Sequence, residues 1–252
     1  MFTCDCCNCT VFGRSCGKID CAEITFTMPS VEYYTKLAAE KLHKGQDDDA
    51  IKNFEEAIKC ARKSADVEAT SKCTINLGAA LIHVGRTSEG LKVLQRVKLS
   101  QRDHLLTGDH WYNLCVAHEV LGNIIEAKKC IQQAVKCYNE SQHSEAMVLK
   151  AGSACRFAFL CAELKEFENA AEAYAMAASS YGSANDVPEQ AACLFQQARV
   201  LGCCEKSDDA IAVADECIKL CTTQPDAAVG KYTKLKKNLI SNVEGYAVLR
   251  CL

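Results

Sequence analysis

Six cysteines crowd the start of this 252-residue chain: Cys4, Cys6, Cys7, Cys9, Cys16 and Cys21. The run from Cys4 to Cys9 reads C-x-C-C-x-C. Thiolates set so closely would suit a soft ion such as zinc or copper(I). Against a metal at Cys4, Cys6, Cys7 and Cys9, no histidine lies in the segment, and the pairs Cys4/Cys7 and Cys6/Cys9 interleave within one cluster. Two alternatives stand beside it: S-palmitoylation, which lacks a polybasic companion here, and a disordered extension with no ligand.

Other residues invite chemistry and fall short of it. His110 and His118, with Asp109 and Glu119 beside them, resemble a metal site. Eight residues apart on a helix, they are separated by about 12 Å in rise and roughly 80° in azimuth, too far to share an ion. Vicinal Cys203 and Cys204 suggest a redox pair, but a cysteine filling a small packing position is the commoner case. Asp47, Asp48 and Asp49 suit the first turn of a helix, where carboxylates oppose the dipole, and lack the spaced ligands of a calcium loop. The sequence contains no phosphate loop, GxSxG elbow, HExxH or dinucleotide fingerprint. The expectation is a non-enzymatic protein without a cofactor.

Composition bounds the rest. The chain is 49% hydrophobic and 24% charged with three prolines, which suits a helix-rich protein. A net charge of −3 without a dense basic block argues against nucleic acid as a partner. No apolar run approaches the roughly 18 residues that span a bilayer. A basic n-region followed by an apolar core is missing, so nineteen cysteines point to reduced thiols and a cytoplasmic location rather than to secretion. A product beginning at Met28 is expected to fold as well as the full chain.

From Val31 onward one pattern recurs. In WYNLCVAHEVLGNIIEAKKCIQQA, Trp111, Leu114, Cys115 and His118 share a helix face, Gly122 stops that helix, and Ile124, Ala127, Ile131 and Ala134 mark a second. Similar pairs carry Tyr34, Leu37, Gly45, Ala50 and Phe54; Leu77, Gly78, Gly85, Gly90, Leu94 and Val97; Phe157, Ala158, Ala170 and Tyr174; and Leu194, Ala198, Ala210 and Ala214. The small residue of each second helix falls at Ala50, Gly90, Ala127, Ala170 and Ala210, with gaps of 40, 37, 43 and 40. One pair cannot bury both of its apolar faces, so such pairs must stack in an array.

This pattern resembles the tetratricopeptide repeat (TPR) family over about residues 31–222, with a period nearer 40 than the usual 34. The longer pitch requires longer linkers or second helices. It is similar to the polarity-scaffold and NSF-attachment branches. Asn76–Ala80 (NLGAA), Gly90–Leu91 and Gly108–Asp109 also resemble the tetratricopeptide repeat protein 24 group. The resemblance implies an all-α fold: a right-handed superhelical solenoid of antiparallel helix pairs. Residues 1–30 would be a cysteine-rich extension, 31–222 five helix pairs, and 223–252 a C-terminal capping helix, entered at Pro225.

The resemblance also places first helices on a concave face and implies a scaffold or adaptor that binds a protein or peptide there. The partner-binding candidates are Asn76, His83, Tyr112, Asn113, Glu119, Arg156, Phe159, Glu163, Phe195 and Arg199, with Ile75, Ala79, Val116, Cys155 and Gln196 in the same strip. Aromatics would bury apolar anchors, amides would pair with peptide backbone and arginines would hold carboxylates. Phe159 and Phe195 could equally pack between pairs. Thr35 and Ala39 replace the Lys and Asn of the chaperone-tail clamp, so Hsp70 or Hsp90 tails are not favoured. The alternatives are an NSF-attachment-like trafficking adaptor and a thiol or metal protein using the N-terminal cluster. Oligomeric state is not legible.

Overall fold

The computed structural model describes residues 10–11, 14–15, 29–99 and 103–222. Ten helices run through them: α1 (Val31–His43), α2 (Asp47–Lys63), α3 (Val67–His83), α4 (Thr87–Leu94), α5 (His104–Val120), α6 (Ile124–Glu140), α7 (Ala146–Glu163), α8 (Phe167–Ser183), α9 (Val187–Cys203) and α10 (Ser207–Thr222). Before them, β1 (Thr10–Val11) and β2 (Arg14–Ser15) form a minimal antiparallel ladder, Thr10 opposite Ser15 and Val11 opposite Arg14. The C-terminal cap expected over 223–252 and the N-terminal cysteine cluster lie outside the described residues.

The pitch near forty has a simple origin. Most helices are 17 residues long and most turns are three residues. Two helices and two turns then make about forty, so both helices of a pair are lengthened. The middle residue of each short turn is left-handed: Gly45, Ala65, Gly85, Gly122, Lys165, Asn185 and Glu205. At Gly122 the turn closes with Gly122 N–H donating to the Glu119 carbonyl at 2.9 Å and Asn123 N–H to that of His118 at 2.8 Å. These bonds satisfy carbonyls that the helix end would otherwise orphan. Glycine takes this conformation freely. Ala65, Lys165 and Glu205 take it against the clash of their Cβ atoms.

The two irregular gaps have different causes. The gap of 43 reflects a longer linker, residues 141–145, before α7. The gap of 37 reflects α4, which stops at Leu94 after eight residues. Val97, expected on that second helix, therefore lies beyond it. The chain is held instead along α3, where Ser71 Oγ donates to the Lys98 carbonyl at 2.7 Å.

Consecutive helices pack throughout, and small residues set the contacts. Cys115 and Ala127 are fully buried where α5 meets α6. At the α3–α4 crossing, a Cβ on Gly90 would lie 2.7 Å from the Gly78 carbonyl oxygen, so only glycine fits. Fully buried Leu94, Ile131 and Leu160 belong to one cluster that runs from α3 to α7, and others continue it to both sides. Among first helices, α1 touches α3 and α3 touches α5. These three therefore crowd together on one side of the array.

Candidate functional site

On that side, α3, α5 and α7 enclose a cleft of about 150 Å³. Lys72 and Asn76 enter from α3, Asp109, Tyr112 and Asn113 from α5, and Leu149 from α7, with Tyr138 of α6 behind. Gly108 makes the back wall possible: a Cβ there would lie 2.5 Å from the Tyr138 ring. The ring lies against the α5 backbone, and Tyr138 Oη donates to Asp109 Oδ1 at 2.7 Å. Burial pushes the Asp109 carboxyl above the ordinary range, and the tyrosine bond only partly opposes this. Burial and the neighbouring carboxylate also push the Tyr138 phenol up. The Asn113 amide N–H donates to the Asp109 carbonyl at 2.9 Å, which turns its oxygen to the role of acceptor. Among the described residues the Asn76 side chain has no hydrogen-bond partner.

Tyr112 joins this cleft to a second group. Arg156 of α7 donates through Nη1 to Glu119 Oε2 at 2.6 Å and through Nε to Tyr112 Oη at 3.2 Å. Its Cζ lies 5.2 Å from the Tyr112 ring centroid. All three side chains are half-buried. The guanidinium is therefore already neutralised by a carboxylate of this chain. It ties the third pair to the fourth, so an incoming carboxylate would compete with Glu119.

The other sequence candidates are dispersed. His83 and Glu163 are exposed near the ends of α3 and α7, and Phe159 is 43% exposed. Phe195 is half-buried and packs against the clusters between α7, α9 and α10. Arg199 Nη1 donates to Gln196 Oε1 at 2.8 Å on its own helix. Ile75, expected in the strip, does line the cleft, but at 2% exposure it belongs to its floor and packs into the core shared with α5 and α6. Cys155 packs against Cys193 in the core between α7 and α9.

Lys72, Tyr138 and Leu149 are not among the residues singled out in the sequence, and Asp109 is named there beside the two histidines and not as part of this cleft. Lys72 and Asp109 carried a signal for it. Lys72 lies four residues before Asn76, and Asp109 four before Asn113, so each pair shares a helix face. Nothing local marks Tyr138 or Leu149, which reach the cleft from other helices.

Among the described residues, the most deeply buried thiols and His110 are poorly placed for chemistry. Burial pushes the Cys115 thiol up to about 12 and those of Cys130 and Cys161 up to about 11, so all three stay protonated and inert. Cys155 is an exception, drawn down by a hydrogen bond from Cys193, whose own thiol is pushed up. Cys204 carries a free thiol, so it forms no vicinal disulfide with Cys203. His110 is 6% exposed, edge-on to Trp111 at 5.6 Å, and burial alone pulls it down to about 4. Among the described residues no three of His, Cys, Asp or Glu gather where they would hold a metal ion. No described helix is long and apolar enough to cross a membrane.

No protein-family model matches the chain. Solved structures do. A putative kinesin light chain from Podosopora anserina, built of nearly identical TPR-like repeats, is 17% identical over 78% of this chain and 97% of its own, with a TM-score of 0.62. A signal-transduction ATPase with a tetratricopeptide repeat sensor, from Pyrococcus horikoshii, is 14% identical over 85% of this chain and 33% of its own, with a TM-score of 0.64. The apo form of RapI is 12% identical over 88% of this chain and 87% of its own, with a TM-score of 0.59. At such identities the likeness is one of fold, and the fold is an all-α solenoid of tetratricopeptide-type helix pairs.

Proposed function

We propose that the chain is a non-catalytic scaffold whose inner helices grip a short peptide segment of another protein. The observation that carries this reading is the cleft between α3, α5 and α7. There an unpartnered amide at Asn76, the amide oxygen of Asn113 and the Asp109 carboxylate stand beside apolar Leu149. Amides at successive helices suit the alternating N–H and C=O groups of an extended backbone, and the apolar wall suits one buried side chain. The Arg156–Glu119–Tyr112 clasp holds α5 and α7 in register and so keeps the cleft formed before a ligand arrives.

The test is selection from a random peptide library displayed on phage, with the full chain as bait. The reading expects a consensus with one apolar anchor, and at least tenfold weaker binding to an Asn76→Ala/Asn113→Ala variant that keeps its thermal transition. Recovery of peptides that bind the variant as tightly as the wild type would remove the cleft from the account.

A further inference from the structure

The early end of α4 leaves a gap on the opposite face of α3. Its neighbours α3 and α5 have 17 residues and α4 has 8. Nine residues at 1.5 Å each are about 13 Å of missing helix. In the third pair the corresponding stretch of α6 carries Tyr138, which seats on Gly108. In the second pair the chain beyond Leu94 instead touches α3 at Ser71 and leaves a pocket of about 580 Å³ beside it. Thr70 and Thr74 line this pocket, whereas Lys72 and Asn76 line the cleft. Residues two apart on a helix point roughly 200° apart, so the two sites lie on opposite faces of α3.

The pocket has a particular chemistry. Ile58, Val93 and Val97 supply an apolar floor, and Arg62, Arg96 and Lys98 stand exposed at its rim. None of these three cations forms an ion pair among the described residues. Asp66 is the acid among the lining residues, and its Oδ1 already accepts the Ala69 N–H as the cap of α3. Val67, at the edge, is 68% exposed. An apolar trough whose rim carries three cations against one capping acid calls for an amphipathic ligand of net negative charge.

We propose that this pocket docks an acidic amphipathic helix of a partner protein, about three turns long, which takes the place of the missing part of α4. Its apolar stripe lies on Ile58, Val93 and Val97, and its Glu or Asp residues face Arg62, Arg96 and Lys98. This site is separate from the peptide cleft and does not depend on it.

The probe is a synthetic 14-residue helix with leucines on one face and flanking glutamates, labelled for fluorescence anisotropy against the full chain. A control peptide carries lysine in place of every glutamate. The expected result is at least tenfold tighter binding of the glutamate peptide. That preference should disappear in Arg62→Glu/Arg96→Glu, two exposed positions whose change leaves the thermal transition in place. Equal binding of both peptides, or unchanged binding by the variant, would overturn the proposal. The chain enters α1 from Pro29, whose carbonyl accepts from Cys60 Sγ at 3.6 Å on α2, the helix that also supplies Ile58 and Arg62. A chain lacking residues 1–27 is therefore measured in parallel. Tenfold tighter binding by that truncated chain would assign the pocket to the protein's own N-terminal segment and overturn the partner reading.

Discussion

His110 makes stability depend on pH in a way that can be worked out in advance. Its ring is 6% exposed, and Nδ1 has no hydrogen-bond partner. Burial is the cause that lowers its pKa from 6.5 to about 4. In the unfolded chain the imidazole takes up a proton near 6.5, and in the folded chain it resists protonation until about 4. The unfolded state therefore binds more protons between these values, and stability falls as pH falls. Nothing is lost above about pH 7. At pH 5 the loss is about 2 kcal/mol, and it saturates near 3 kcal/mol below pH 4, on the order of 1.4 kcal/mol per pH unit. The assay is urea unfolding of wild type and His110→Phe at pH 7.5, 6 and 5. Asp109 contributes an opposite trend, since its folded pKa is raised, but it is present in both proteins. The difference between the two isolates His110. Wild type should lose about 2 kcal/mol more than the variant between pH 7.5 and 5. Parallel losses would show that His110 is hydrated or paired in the folded protein and would refute the argument.

Other outcomes follow from the same packing. Lys165→Gly and Glu205→Gly should each stabilise by about 1 kcal/mol in urea unfolding, because both residues are left-handed with φ near 60°. Gly122→Ala should cost a similar amount. Gly108→Ala should destabilise by roughly 1–3 kcal/mol, since its new methyl would meet the Tyr138 ring at 2.5 Å. A double-mutant cycle of Arg156→Ala and Glu119→Ala should give a coupling of about 1 kcal/mol, consistent with a half-buried, hydrogen-bonded ion pair. Native-state thiol labelling should leave Cys115, Cys130 and Cys161 unmodified, and rapid labelling of any of them would contradict their burial.

The repeat was legible because the physics that makes it is local. Three-residue turns need a left-handed residue, and Gly45, Gly85 and Gly122 announce them. Helix contacts need small residues, and Cys115 and Ala127 sit where the spacing demands. Lys165 and Glu205 break the glycine rule without moving their turns, since packing on both sides fixes the chain there. The end of α4 was not legible. No glycine or proline marks it, and a hydrogen bond from Ser71, 27 residues away, holds the departing chain.

The candidate site was legible in part for the same reason. Asn76, Tyr112 and Asn113 follow from helix phase, and they meet at one cleft. Their pairing could not be read from phase. Arg156 looks like a free cation in sequence, and its partner Glu119 is on another helix pair. Ile75, one residue and about 100° round the helix from Asn76, reaches the same cleft only at its buried floor.

In the proposed function, ligand is held by the inner helices. Hydrogen–deuterium exchange of the full chain, with and without a peptide selected from the library, tests it most directly. Peptide should add protection within residues 67–83, 104–120 and 146–163 and leave α6 and α8 unchanged. Protection confined to the second helices, or to the segment after α4, would contradict it.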